Sequence, residues 1–160
     1  MGSISRESGL RGTFEFQRFS QGAQDVIVQA QAEANAAGIG YVQSLHLLLA
    51  LVEIQSNART VLEELGIDTG SIRPVMTEFF PPGQHAQRDP RTTIVRDVIL
   101  DATSEAEARH SSTVEPAHML MALVRQPDAL AVNLVERLGI TSAQVLAKLE
   151  PFMGDEDTGR

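Results

Sequence analysis

The chain of 160 residues contains no cysteine and no tryptophan, and it has one tyrosine and a single lysine, Lys148. The absence of cysteine excludes disulfides, thiol nucleophiles and cysteine-ligated zinc. Six phenylalanines supply nearly all the aromatic content. A core built from this composition must therefore be aliphatic, and a chain of this length buries the core of one compact domain.

Basic stretches and long apolar runs are also missing. Lys and Arg total 13 against 21 Asp and Glu, which gives a formal charge of −8. An acidic surface disfavours both phosphate-dependent nucleic-acid binding and docking on anionic lipid. No run approaches the ~18 apolar residues that span a bilayer, and residues 1–12 lack the apolar segment of a signal peptide. We therefore expect a cytoplasmic protein with neither nucleic acid nor membrane as a partner.

Catalytic motifs are absent from the sequence. No G-x-x-x-x-G-K-[ST] loop precedes Lys148, so these residues cannot hydrolyse ATP by that mechanism. His46 and His118 could be read as a general base or metal ligands of a hydrolase, but neither has a carboxylate or second histidine at ligand spacing. We expect each histidine to stabilise the first turn of a helix, and we expect no catalytic residue, metal or cofactor.

An internal repeat organises the chain. Residues 25–52 match residues 97–124 at a constant offset of 72, and Leu65-Gly66-Ile67 matches Leu138-Gly139-Ile140 at an offset of 73. A nearly gapless match of this length indicates that a unit of roughly 70 residues was duplicated. The two copies are expected to share one core and to be related by a pseudo-twofold axis.

Apolar periodicity predicts four helices in each copy and no strand, so the fold class is all-α. Ser20 is the expected N-cap of the first helix and Ser44 that of the second, while Pro116 suits the first turn of the sixth. The second and sixth helices are apolar around most of their circumference, as central helices are. Met119, Met121 and Met153 could form an adaptable binding surface, but we expect the set to pack in the core. Met119 and Met121 cannot share a helix face, so we expect at least one of them to face outward.

Ordered motifs occur in both copies. They are F-x-R-F-[ST] at residues 16–20, [VI]-x-x-x-H-[LIM]-L-x-[AG]-L-[VI] at residues 42–52 and 114–124, and L-G-[IV] at residues 65–67 and 138–140. This pattern resembles the double Clp repeat at the N-terminus of the ClpA/ClpB/ClpC class of AAA+ unfoldases, most closely actinobacterial ClpC. The resemblance implies a pseudo-twofold bundle of eight helices that recruits adaptors and substrates and, in actinobacterial ClpC, binds cyclic-peptide antibiotics.

The resemblance also sets the expected domain limits. We expect a flexible segment over residues 1–13, a double Clp repeat domain over 14–153 and a flexible acidic tail over 154–160. Within the domain, repeat one covers residues 14–80, a linker covers 81–91 and repeat two covers 92–153. A chain that departs from ClpC in several places and carries no ATPase motif is expected to be a stand-alone Clp repeat protein rather than an excised domain.

Two departures from ClpC bear on ligand choice. The glutamate that precedes each motif histidine in ClpC, and that pairs with the guanidinium of phosphoarginine, is replaced here by Leu45 and Ala117. Ser20 and Thr92 remain as hydroxyls for a phosphoryl group. Arg91 stands where repeat one has Phe19, so the two copies are not equivalent. Strong phosphoarginine binding is therefore not expected.

The sequence thus predicts a non-enzymatic binding module of the Clp protease system. It would present a ClpC-like recruiting surface without an ATPase and sequester peptides, adaptors or cyclic peptides directed at ClpC. By resemblance, the binding residues are Phe14, Phe16, Phe19, Ser20 and Gln24. Phe19 is equally well placed for the core. The alternative is an adaptor or accessory subunit that docks on the Clp complex, and Glu33, Glu105 and Glu107 are expected on solvated helix faces.

Overall fold

The computed structural model describes residues 16–38, 41–79, 93–127 and 129–153, so the predicted segments 1–13, 81–91 and 154–160 lie outside the described residues. Over the described ranges the chain is all-α, as the periodicity predicts, and its only β pairing is an isolated bridge between Phe19 and Val114. Its eight α-helices are α1 Gln21–Ala36, α2 Ser44–Glu53, α3 Asn57–Glu64, α4 Thr69–Phe79, α5 Thr93–Ala108, α6 Pro116–Val124, α7 Leu130–Arg137 and α8 Ser142–Leu149. Short 3-10 turns precede α1 and follow α8, at Phe16–Arg18 and Glu150–Phe152.

The two central helices hold the core together. Every residue of α6 is buried, and so is every residue of α2 except Glu53 at its C-terminal end. α1 covers α2 and α5 covers α6, while α3 contacts α6 and α8, and α7 contacts α2. The two copies therefore interleave and bury one aliphatic core, as the duplication predicts.

Two glycines confirm that the repeats are equivalent in space as well as in sequence. Gly66 and Gly139 both have φ of +84°, a left-handed conformation that glycine adopts without steric cost. In each copy the next residue closes the turn: the N–H of Ile67 donates to a carbonyl of α3 at 2.8 Å, and that of Ile140 to a carbonyl of α7 at 3.1 Å. Both helices thus end in the same glycine C-cap.

The repeated histidines form equivalent caps. Nδ1 of His46 accepts a hydrogen bond from the N–H of Gln43 at 2.9 Å, and Nδ1 of His118 accepts from the N–H of Glu115 at 2.8 Å. Each imidazole thereby satisfies a backbone donor at the start of a central helix. Burial lowers the pKa of His46 to about 4 and keeps it neutral. The expectation that these histidines stabilise the local fold is confirmed.

Most predicted helix starts are confirmed, but that of α2 is wrong. Gln43, not Ser44, is the N-cap of α2, because Gln43 and His46 already form a reciprocal capping box. The Ser44 hydroxyl instead accepts a hydrogen bond from the N–H of Ala131 at 3.1 Å and so links α2 to α7 across the repeats. Short-range patterns cannot predict a contact between residues so far apart in the chain.

The expectation that Met119 or Met121 faces outward is also wrong, whereas the expected core packing of the methionines is confirmed. Met119 and Met121 are both fully buried, although they lie on different faces of the helix. Because α6 is surrounded by six helices, α1, α2, α3, α5, α7 and α8, it has no solvent-facing side on which either could lie. Met153 is buried as well, so these three methionines are core residues.

Candidate peptide-binding surface

The segment that leads into α1, here called the lead-in, passes beside Val114, just before α6 of repeat two. The N–H of Val114 donates to the carbonyl of Arg18, and the N–H of Ser20 donates to the carbonyl of Val114, each at 3.0 Å. The Arg18 guanidinium also forms an ion pair with Glu107 of α5 at 2.7 Å. These contacts fix the segment that leads into α1 against the junction of α5 and α6.

The predicted site residues take different positions around this junction. The Phe19 side chain is 2% exposed, which places it in the core. Ser20 is the N-cap of α1, where its hydroxyl accepts from the N–H of Ala23 at 3.1 Å, and Gln24 donates to the carbonyl of Phe19 at 2.9 Å. Phe14 and the side chain of Phe16 lie outside the described residues. Ser20 and Gln24 therefore fix the backbone at the start of α1, next to the buried Phe19.

Two exposed apolar side chains, which sequence reasoning missed, lie at equivalent positions of the two repeats. Val28 of α1 is 60% exposed, and Leu100 of α5, 72 positions later, is 39% exposed. Both residues fall off the buried stripe of their helix. The sequence contained a signal for this exposure. Both copies carry an apolar residue on the polar side of the helix, where packing does not require one.

The exposed face of α1 around Val28 carries almost no charge. Its other exposed residues one or two turns on are uncharged: Gln31, Ala32, Asn35 and Ala36. Asp25 is the exposed carboxylate on the turn before. In a chain with a net charge of −8, this face offers a low-charge surface to an apolar ligand.

A separate cleft of about 550 Å³ opens where the repeats meet. It is lined by Gly22 of α1, by residues at the start of α3 and α6, and by Phe152 and Met153 after α8. One arginine and one glutamate, Arg109 and Glu115, lie in its wall. Arg109 already forms ion pairs with Glu105 and Glu150. Sequence reasoning missed this cleft because its walls come from four distant parts of the chain.

The two residues that stand where ClpC has a glutamate before each motif histidine are both buried. Leu45 is 0% exposed and packs in the core, while Ala117 is 4% exposed and lies in the wall of the cleft. The nearby carboxylate of Glu115 accepts a hydrogen bond from the hydroxyl of Thr113 at 2.6 Å. Thr92 and Arg91 lie outside the described residues.

Neither a metal centre nor a membrane helix is found in the part of the chain that the structure describes. No group of three or more His, Cys, Asp or Glu side chains there is placed to hold a metal ion. The helices of the same ranges are all too short or too polar to cross a membrane.

The fold and the repeated caps define the class of the protein: an all-α domain of two equivalent four-helix units that share one core. The sequence model of the family described as "Clp repeat (R) N-terminal domain" matches residues 18–94 and 91–159. The chain belongs to this family. The resemblance noted from the sequence motifs is thereby confirmed.

The similar proteins are Clp ATPases and their N-terminal domains. The chain is 29% identical over 146 residues to the negative regulator of genetic competence ClpC/MecB of Bacillus subtilis, covering 90% of this chain and 18% of that protein. It is 31% identical over 145 residues to a probable ATP-dependent Clp protease ATP-binding subunit of Chlamydia pneumoniae, covering 86% of this chain and 17% of that one. The chain therefore spans less than a fifth of the length of these relatives.

The fold is that of solved Clp N-terminal domains. The N-terminal domain of ClpD from Arabidopsis thaliana superposes with a TM-score of 0.71 at 20% identity, covering 89% of this chain and 98% of that domain. The Hsp104 N-terminal domain from Candida albicans gives a TM-score of 0.65 at 16% identity, covering 86% and 93%. At these identities the likeness concerns the fold alone.

Proposed function

We propose that this chain is a non-enzymatic peptide-binding module of the Clp protease system, with adaptors, substrate peptides and ClpC-directed cyclic peptides as its ligands. The binding surface consists of the lead-in with Phe14 and Phe16 together with the low-charge face of α1 around Val28. The single observation that carries the proposal is the exposure of Val28 and Leu100 at equivalent positions of the two repeats. They are two of four exposed large apolar side chains in the described residues, and the other two are Leu138 and Phe152.

Burial of this apolar surface supplies the driving force for binding. Apolar area removed from water contributes roughly 25 cal/mol per Å² before the costs of ordering are subtracted. The uncharged neighbours of Val28 keep the desolvation cost low, because amides and alanines lose less hydration than carboxylates do. A compact cyclic peptide with apolar side chains suits such a surface, since its own ordering cost has been met in advance.

Phe19, Ser20 and Gln24 act in this proposal as supports rather than as contacts. Phe19 anchors the lead-in in the core, and the carbonyl of Phe19 is held by Gln24. Ser20 fixes the first turn of α1. A backbone held in this way loses little conformational entropy when a ligand binds, which favours affinity.

The proposed mechanism is competition in the cytoplasm. In this proposal the 160 residues supply a recruiting surface, and they contain no nucleotide-binding loop. By themselves they would hold a ligand without unfolding it. The domain would then reduce the free concentration of any ligand it shares with ClpC. Protection of ClpC in this way requires that the two affinities be comparable and that the domain be present in excess of the ligand.

A reconstituted protease assay tests this mechanism. ClpC-dependent degradation is first disturbed with a ClpC-directed cyclic peptide, and the purified domain is then added in increasing amounts. We expect normal degradation to return once the domain exceeds the peptide, with a Val28→Glu variant less effective. No recovery at a large excess of domain would exclude sequestration. A direct effect of the domain on ClpC without the peptide would favour the adaptor alternative.

A further inference from the structure

The two repeats attach their fourth helices by different means. At the offset of 73 that relates Gly66 to Gly139, Arg73 of α4 is the counterpart of Leu146 of α8. Leu146 is half-buried and packs against the core. Arg73 has a side chain that is 53% exposed, and its guanidinium reaches carboxylates of two other helices. An ionic contact in repeat one therefore takes the place of an apolar contact in repeat two.

The carboxylates that Arg73 reaches belong to α1 and α2. Nη2 of Arg73 lies 3.2 Å from Oε2 of Glu33 on α1 and 3.0 Å from Oε2 of Glu53 on α2. The side-chain amide of Gln29 on α1 donates to both acids as well, at 3.2 Å and 3.1 Å. Through Arg73, α4 thus forms ion pairs with both neighbouring helices.

Repeat two neutralises its acid without using α8. The counterpart of Glu33 is Glu105, and the counterpart of Glu53 is a cation, Arg125. The Glu105 side chain is 17% exposed, so the expectation that it lies on a solvated face is wrong. Glu105 pairs with Arg125 at 2.9 Å and also with Arg109, and these arginines directly follow α6 and α5. Glu105 therefore keeps both cations if α8 moves, whereas the acids of repeat one lose the cation that α4 supplies if α4 moves.

The acids of repeat one are enclosed, which makes their cation important. The Glu33 and Glu53 side chains are 14% and 22% exposed. Two carboxylates that lie so close together with so little hydration repel each other unless a cation is present. Departure of Arg73 therefore costs more free energy than the loss of an exposed surface ion pair, which contributes little to stability.

The apolar contacts of α4 are less extensive than those of α8. α4 packs mainly against α2, whereas α8 packs against α6, α7 and, across the repeats, α3. On α4, Ile72 is fully buried, but Val75 and Met76 are only half-buried. Pro74 inside α4 also removes one helical hydrogen bond. An element with few buried apolar contacts opens at a lower free energy than the rest of its domain.

We propose that α4 is a lid on α2 that opens as a unit while the rest of the domain stays folded, and that Arg73 is the strap that holds it closed. When the lid opens, water reaches the apolar surface of α2 that α4 covers and the carboxylates of Glu33 and Glu53. The free energy of opening is set by the small apolar contact and by the ion pairs of Arg73. α8 is no such lid, because apolar contacts with three helices hold it in place.

Amide hydrogen exchange followed by NMR tests the lid, with α8 as the internal reference. Protection factors of the amides in both helices are measured under conditions in which exchange reports the free energy of opening. In the wild type we expect α4 to be protected at least roughly tenfold less than α8, because α4 opens without global unfolding. Equal protection of the two helices would show that α4 opens only when the whole domain unfolds, and would exclude the lid.

Arg73→Leu tests the strap, because it gives α4 the residue that α8 has at the equivalent position. We expect α4 protection to fall by a further factor of roughly ten, since the two acids lose their cation, and α8 protection to stay unchanged. Arg59→Leu is the matched control. It removes the same charge from an exposed pair with Glu63 inside α3, and it is expected to leave both helices as in the wild type. Unchanged α4 protection in Arg73→Leu, or an equal loss in α4 and α8, would contradict the strap.

A second substitution separates the ion pairs from the loss of the arginine side chain itself. Arg73→Leu combined with Glu53→Arg reproduces in repeat one the arrangement of Glu105, Arg125 and Leu146 in repeat two. Because an arginine at position 53 can pair with the acid of α1, we expect α4 protection to return at least to its wild-type value. A double variant no better protected than Arg73→Leu would show that neutralisation of the acids is not what holds α4.

Discussion

Phe19 and Val114 pair as an isolated parallel bridge, and this bridge fastens the lead-in of repeat one to the start of α6 in repeat two. The Phe19 side chain is buried beneath the same bridge. Phe19 thus belongs both to the core and to the segment that is proposed to bind ligands. Substitutions in the lead-in are expected to separate into those that affect folding and those that affect ligands.

Phe19→Ala is expected to destabilise the domain by about 3–5 kcal/mol, because truncating a buried phenylalanine leaves a cavity. In a domain of this size the thermal midpoint would fall by roughly 10 °C, as measured by circular dichroism. Phe16→Ala is expected to leave the midpoint nearly unchanged and to weaken cyclic-peptide binding. Equal midpoints for wild type and Phe19→Ala would contradict the assignment of Phe19 to the core.

Ser20→Ala is expected to cost about 1 kcal/mol, since it removes the acceptor for the N–H of Ala23 at the start of α1. Ser20→Asp should restore stability, because aspartate also serves as an N-cap. Ser104→Ala, an exposed change inside α5, is the control and should not destabilise. Urea denaturation measures the free energy of unfolding of all three variants. A Ser20→Asp protein no more stable than Ser20→Ala would show that capping is not the role of Ser20.

His46 is expected to remain neutral from pH 8 to pH 5, with constant imidazole chemical shifts in NMR, because burial lowers its pKa from 6.5 to about 4. The unfolded chain binds this proton near pH 6.5 and the folded chain only near pH 4. The contribution of His46 to stability is therefore complete above pH 6.5 and is lost as the pH falls towards 4.

His46→Gln tests this pH dependence without removing the cap. Gln144 already plays the same part in α8, where its Oε1 accepts from the N–H of Thr141 at 2.8 Å. The variant is expected to lose less unfolding free energy than wild type between pH 6.5 and pH 4. An imidazole of His46 that titrates near 6.5 in the folded protein would refute the neutral cap.

Phosphoarginine is expected to bind weakly, and ATP turnover is expected to be absent from the purified domain. Ala117→Glu should raise phosphoarginine affinity, because position 117 lines the open cleft and a carboxylate there can pair with the guanidinium. Leu45→Glu should instead lower stability, since Leu45 is fully buried. Calorimetric titration measures both affinities. Tight binding by the unaltered domain would show that the missing glutamates are dispensable.

Local patterns in the sequence predicted the parts of the fold that local interactions determine. The repeated His46 and His118 caps, the C-cap glycines Gly66 and Gly139, and the buried central helices all follow from short motifs and periodicity. The motif F-x-R-F-[ST] also marked the residues that precede α1 and include its N-cap, Ser20. These features depend on residues no more than one or two turns apart.

Features that join distant residues could not be predicted in this way. The hydroxyl of Ser44 accepts from α7, a contact between distant residues. The expectation that Glu33 lies on a solvated face is wrong, because Glu33 meets Glu53 and Arg73 once α1, α2 and α4 have packed and its side chain is then 14% exposed. Met121 is buried because six helices surround α6, which no periodicity within α6 reveals. The proposed binding surface was only partly predictable. Val28 could have been found by comparing the two repeats, because both carry an apolar residue outside the buried stripe of the helix.

The proposal that α1 binds apolar ligands is tested most directly by calorimetric titration of the domain with a ClpC-directed cyclic peptide. Wild type is expected to bind, and Val28→Glu is expected to weaken binding at least tenfold, about 1.4 kcal/mol, without changing the thermal midpoint. Ala147→Glu, which adds the same charge to an exposed position of α8, should bind as wild type does. Absence of binding by wild type, or equal affinities for wild type and Val28→Glu, would contradict the proposal.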